Sequence, residues 1–159
     1  MHELCSTIRL AAPLAEVFAF FADARNLEVL TPGWLHFRVV SQPPPAMAAG
    51  TRIDYRLRLR GVPVRWQSEI TAWEPPFRFV DEQRRGPYRV WIHEHRFAVE
   101  RQPGGTEVVA SDKVRYAAPG GRLVDRLLVA GDLRRIFAYR SVRLRERFGA
   151  ADEPGAAAG

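Results

Sequence analysis

His93 and His95 stand one residue apart in the run Trp91-Ile92-His93-Glu94-His95-Arg96-Phe97. Alternate residues of a β-strand share a face, so an extended chain here would project Trp91, His93, His95 and Phe97 together and set two imidazoles between two large aromatic rings. Asp112 lies on the next extended stretch and Asp81 on the one before. Imidazole titrates near neutral pH, and a carboxylate beside it orients the ring and favours its charged form. His93 or His95 with Asp112 therefore has the composition of a general acid/base pair for aldol cyclisation, dehydration or isomerisation. The same types admit a two-histidine, one-carboxylate metal set with Asp112 or Asp81, but no metal-binding motif accompanies them, and no metal or cofactor is assigned. They also suit a structural role, since histidine commonly sits between core and surface with its nitrogens hydrogen-bonded.

A sheet must position these side chains. Residues 51–60 alternate, with Ile53, Tyr55, Leu57 and Leu59 on one face and Arg52, Asp54, Arg56, Arg58 and Arg60 on the other. That is the pattern of an antiparallel sheet with one dry and one wet face. A two-residue turn at Gly61-Val62 would set Val64, Trp66, Ser68 and Ile70 opposite Leu59, Leu57, Tyr55 and Ile53. Beyond the turn Glu74-Pro75-Pro76, Phe79, Asp81 and Gln83 share the face of Ser68 and Ile70 and, past Gly86-Pro87, that of Trp91 and His93. A hairpin over residues 102–105 leads to Val108, Ala110, Asp112, Val114 and Tyr116, bringing Asp112 beside His93 or His95.

The flanks read as helices. Residues 3–10 predict a first strand, Pro13 followed by Val17, Phe18, Phe20 and Phe21 a short helix, and residues 23–30 a second. The longest helix is predicted over 122–148, with Leu123, Val124, Leu127, Leu128, Leu133, Ile136, Phe137, Leu144 and Phe148 as the stripe that covers the dry face. Residues 42–50, proline-stiffened and then small and apolar, fit a loop at a cavity rim. Residues 149–159 lack periodicity and are expected as a disordered tail after a single domain over 1–148.

At 47% hydrophobic and 26% charged residues, 159 residues make one soluble globular domain. Cys5 is the single cysteine, which excludes an intrachain disulfide, a zinc knuckle and a thiol redox pair. No apolar run has signal-peptide or membrane-span length, so a cytoplasmic location is expected. The net charge of +6 comes from arginines spread along the chain, without a recognition motif or an aromatic-interleaved basic run, so nucleic acid is not an expected partner. Arg52, Arg56, Arg58, Arg60 and Arg65 form an outward stripe on one hairpin; it reads as a solvated face able to steer an anionic head group, without stable membrane insertion.

Strand, two short helices, six antiparallel strands and a terminal helix is the element order of the helix-grip fold. Residues 13–23 (P-L-A-E-V-F-A-F-F-A-D), Asn26-Leu27 and Leu30-Thr31-Pro32 resemble the opening of the SRPBCC superfamily, which includes START lipid-transfer domains, the birch-pollen-allergen type and polyketide cyclase/dehydrase-like proteins. Trp73-Glu74-Pro75-Pro76, Phe79-x-Asp81-x-Gln83, Gly86-Pro87-Tyr88, Trp91-x-His93-x-His95-x-Phe97 and Asp112-x-Val114-x-Tyr116 resemble a bacterial ligand-binding subgroup of it. The resemblance implies an α+β fold in which a curved seven-stranded antiparallel sheet wraps the long C-terminal helix around a cavity. Its wall would comprise Tyr55, Leu57, Trp66, Ile70, Phe79, Trp91, Phe97, Val114 and Tyr116, with Asp81, Gln83, His93, His95 and Asp112 as polar points. The implied function is binding, transport or sequestration of a lipid, quinone or aromatic/polyketide-like molecule. A cofactor-free cyclase, dehydratase or isomerase using His93, His95 and Asp112 is the alternative. A homodimer, or a module acting with an epimerase-like protein partner, is the third reading.

Overall fold

The computed structural model describes residues 1–41 and 45–150. Strands β1 (His2–Leu10), β2 (Arg38–Val39), β3 (Arg52–Leu59), β4 (Val62–Glu74), β5 (Arg78–Arg85), β6 (Val90–Gln102) and β7 (Gly105–Ala117) form one antiparallel sheet in the order β1-β7-β6-β5-β4-β3-β2. Helices α1 (Leu14–Phe21) and α2 (Asn26–Leu30) and a 3-10 turn (Gly33–Leu35) lie between β1 and β2. After β7, α3 (Gly121–Val124) continues through a π segment (Asp125–Val129) into α4 (Ala130–Phe148). This is the helix-grip architecture, a curled sheet closed by its C-terminal helix.

Period-two alternation builds the sheet as read: in β3, Ile53, Tyr55 and Leu57 are buried while Arg52, Asp54, Arg56 and Arg58 are exposed. The β3–β4 turn, however, is Arg60-Gly61 rather than Gly61-Val62. Leu59 pairs with Val62, and both turn residues take positive φ, 49° and 81°. Two left-handed residues make the type I′ turn that matches the twist of the flanking strands. Moving a turn by one residue moves the pairing by two, so Trp66 faces Tyr55 and Ser68 faces Ile53, and every side chain keeps its face. Farther along, Ile70 lies opposite Asp81, Asp81 opposite His93, Phe79 opposite His95, and His95 opposite Asp112.

Pro13 caps α1, whose Val17, Phe18, Phe20 and Phe21 are buried. Phe18 and Phe21 meet Phe97 edge to face, and Leu10, Ile70, Val108 and Leu144 complete this main core. The stripe predicted for the long helix holds only in α4. Leu123 and Leu127 are 68% and 66% exposed, and Leu128 is exposed as well. A π turn holds an extra residue, which rotates the residues before it out of phase with those after it. Asp125 is the buried residue of that turn, 3.1 Å from His2 Nδ1. Burial, aided by Asp125, pushes the Tyr116 hydroxyl up to about 12. Leu133, Phe137, Arg140 and Leu144 are the residues of α4 that turn inward.

Pairing also runs past the expected end of the domain. Ala11 N–H donates to the Gly149 carbonyl at 3.2 Å, and Ala150 bridges Leu10. The rest of the expected tail, 151–159, and residues 42–44 of the expected rim loop lie outside the described residues. No helix among the described residues is long and apolar enough to cross a membrane.

Candidate functional site

A cavity of about 180 Å³ lies between the concave face of the sheet and helices α2 and α4. Of the residues read from sequence, Tyr55, Leu57, Trp66, Ile70, Phe79, Asp81, Trp91, His93 and His95 border it. Five others do not. Phe97 is packed among Phe18, Phe21 and Phe79 at the end of the face that α1 covers. Val114 and Tyr116 lie beneath Leu133 and Phe137. Gln83 is spent locally, its Nε2 donating to the Tyr88 carbonyl at 2.7 Å. Asp112 stands behind the histidines rather than in the wall.

The polar members close on one another. His93 Nε2 donates to Asp112 Oδ1 at 2.9 Å, and His95 Nε2 to Asp81 Oδ2 at 3.1 Å. His95 Nδ1 is 2.8 Å from Asp112 Oδ1 without hydrogen-bond alignment, and His93 Nδ1 is 3.8 Å from Asp81 Oδ2. The imidazole centroids are 3.8 Å apart, and Phe79 stacks on His95 at 4.1 Å. A relay extends the cluster: Trp66 Nε1 donates to Ser68 Oγ at 3.1 Å, and Ser68 Oγ to Asp81 Oδ1 at 3.4 Å.

Burial and these neighbours pull the two histidines apart. Burial, with the adjacent His95, pushes His93 below the ordinary imidazole value, against the pull of Asp112. For His95 burial acts the same way but is outweighed by Asp112 and Asp81, and the net shift is upward. Asp112 is held well below the usual carboxylate range: burial opposes this, but Arg140 and the two histidines prevail. Asp81 is also lowered, through His95 and His93 against its burial. His93 is thus favoured neutral and His95 charged, each between two carboxylates.

Asp81, His93 and His95 present donor atoms within 4.8 Å of one another. Drawing them onto a metal ion would break the His95–Asp81 hydrogen bond and place a dication where Arg140 already acts on both residues. The set fits a metal poorly.

The sequence reading overlooked Arg140, which lines the cavity at 8% exposure. Its signal was its position: it follows Leu133, Ile136 and Phe137 and precedes Leu144 on the covering stripe itself. Leu27 and Leu30 of α2 and Met47 also border the cavity, placed there by loop and helix docking that no periodicity encodes.

A family model described as polyketide cyclase / dehydrase and lipid transport matches residues 1–149. No curated protein matches the chain. Among solved structures, a Thermus thermophilus protein is similar at 21% identity and TM-score 0.67, over 92% of this chain and 96% of that one. A Mycobacterium smegmatis protein is similar at 20% identity and TM-score 0.63, over 91% and 89%. The major latex-like protein 151 of Panax ginseng shares 8% identity at TM-score 0.65, over 92% and 97%. At these identities the likeness concerns the fold.

Proposed function

The chain belongs to the polyketide cyclase / dehydrase and lipid transport family, and from that membership we propose that it binds a hydrophobic small molecule of lipid, quinone or aromatic type in the cavity beneath α4, as a cytoplasmic carrier or sequestering protein. The wall is mainly apolar, with its polar groups confined to the cluster around His93 and His95 and to Asp23, Asn26 and Thr31 beside α2, the composition of a site that takes an apolar body and fixes its orientation at few points. One observation weighs for binding over turnover: each imidazole spends its Nε2 on a carboxylate of the cluster, His93 on Asp112 and His95 on Asp81. Neither Nε2 reaches a substrate without giving up that hydrogen bond. Native mass spectrometry of protein purified from its own host tests this reading. A retained small molecule that shifts the fluorescence of Trp66 and Trp91 is expected; a bare chain indifferent to naphthalene would sink the proposal.

The opposed shifts of His93 and His95 support a second reading, a cofactor-free cyclase, dehydratase or isomerase. Two groups whose environments separate their protonation states are the makings of a base and an acid, here His93 and His95. On this reading His93→Gln lowers turnover of the native ligand by roughly two to four orders of magnitude with binding retained. Unchanged turnover removes it.

A further inference from the structure

The guanidinium of Arg140 lies against the Phe21 and Phe137 rings, its Cζ 5.0 Å and 5.9 Å from their centroids. Its Nε and Nη2 have no hydrogen-bond partner among the described residues. These nitrogens form one edge of the guanidinium plane, the edge that presents two parallel N–H groups. Asp112 Oδ1 is 3.6 Å from Nη2, beyond hydrogen-bond distance, and already accepts from His93 Nε2 at 2.9 Å. Asp81 is likewise engaged, by His95 and Ser68. The cavity is thus lined by a buried cation whose Nε and Nη2 carry no hydrogen bond and whose ion pair with Asp112 stays long, at 3.6 Å. Burial of such donors is unfavourable until an acceptor meets them.

We propose that Arg140 anchors a carboxylate, and that the ligand is a compact amphipathic carboxylic acid whose apolar part fills the cavity while its two oxygens take the Nε and Nη2 edge. The proposal rests on the reading of this cavity as a ligand site and narrows it to one chemical class. A carboxylate meets both donors in a single bidentate contact, charge-assisted on both sides, whereas a neutral oxygen group brings no charge to the pair. Size restricts the apolar part. At about 180 Å³ the cavity exceeds the dry space of about 150 Å³ that admits benzene and falls short of the roughly 300 Å³ at which drug-sized pockets begin. One or two fused rings or a short chain fits; a long acyl chain does not.

Isothermal titration of the full chain with 2-naphthylacetate and with its neutral isostere 2-naphthylacetamide decides the matter. The acid is expected to bind about ten- to a hundred-fold more tightly than the amide. Arg140→Met should bring the acid down to the amide's affinity and leave the amide unchanged, while Arg140→Lys keeps part of the preference. Should Arg140→Met fail to fold by near-ultraviolet circular dichroism, the ratio of the two ligands on the wild-type chain still decides. An amide bound as tightly as the acid, or a preference that survives Arg140→Met, overturns the anchor and leaves the cavity reading standing. Absence of binding by either compound overturns both.

Discussion

The two ends of the concave sheet face are lined by the same kinds of residue and finish in different states. At one end Phe79 and Phe97 meet Phe18 and Phe21 of α1 ring against ring, at centroid separations of 4.9 to 6.2 Å. At the other, Trp66, Tyr88 and Trp91 pack beside one another, at 4.8 to 5.6 Å, and border the cavity. The difference lies in what comes down on the face. Helix α1 brings phenylalanines three residues apart, whereas α4 brings an arginine between Phe137 and Leu144. Aromatic rings interdigitate and fill space; a guanidinium in the covering stripe requires acceptors instead. The cavity opens between the two clusters, with Phe21 and Phe79 on one side, Trp66 and Trp91 on the other, and Arg140 of α4 against Phe21.

The comparison breaks first at Phe97. Phe97→Ala should cost about 3–5 kcal/mol in denaturant unfolding, because the filled end leaves a cavity behind. Leu57→Phe, at the hollow end, should cost nothing or raise stability by about 0.5–2 kcal/mol, as cavity-filling changes do, while abolishing uptake of 2-naphthylacetate. If Leu57→Phe destabilises as Phe97→Ala does, the two ends are equally packed and the contrast is false. Asp112→Asn tests whether the hollow end depends on its polar network rather than on apolar contact. It should cost about 1–3 kcal/mol by removing the negative charge that faces His93, His95 and Arg140; a melting temperature equal to that of the wild type would show that the cluster does not contribute.

The smallest effect is a slope with pH. The folded value of His95 lies above its ordinary 6.5, so its contribution to stability is complete below pH 6.5 and fades as pH rises through the raised value. His93 is shifted the other way, which favours the folded state as pH rises towards 6.5. Subtracting the unfolding free energy of His95→Gln from that of the wild type should therefore give a difference that declines from pH 6 towards pH 9. A flat or rising difference would mean that Asp81 and Asp112 do not hold His95 charged.

Much of this was legible in sequence, and for physical reasons. A side-chain period of two assigns faces even when a turn is misplaced, because the slip from Gly61-Val62 to Arg60-Gly61 shifts pairing by two and leaves Trp66 inside. The same period brought Asp81, His93, His95 and Asp112 together across three strands. It carries no information about which length of a face stays open. Phe97 and Tyr55 obey one pattern, and only the docking of α1 separates them. The expected helix stripe failed at Leu123 and Leu127 because a π turn leaves no mark in composition. Arg140 was overlooked because a charged residue on a stripe is read as an interruption, although the stripe places it inside.

The pairing of β1 with β7 has a consequence in time. These strands stand side by side in the sheet but lie roughly 100 residues apart in the chain, and a ribosome adding about 5–20 residues each second takes between about 5 and 20 seconds to produce that length. Through that interval the nascent His2–Leu10 segment has no partner strand, and the meander from β2 to β7 can form without it. The earliest-made strand can therefore pair only once the last-made strand, β7, has emerged. A substitution in β1, far from the cavity, would act on how much chain reaches the closed state rather than on how the closed state binds.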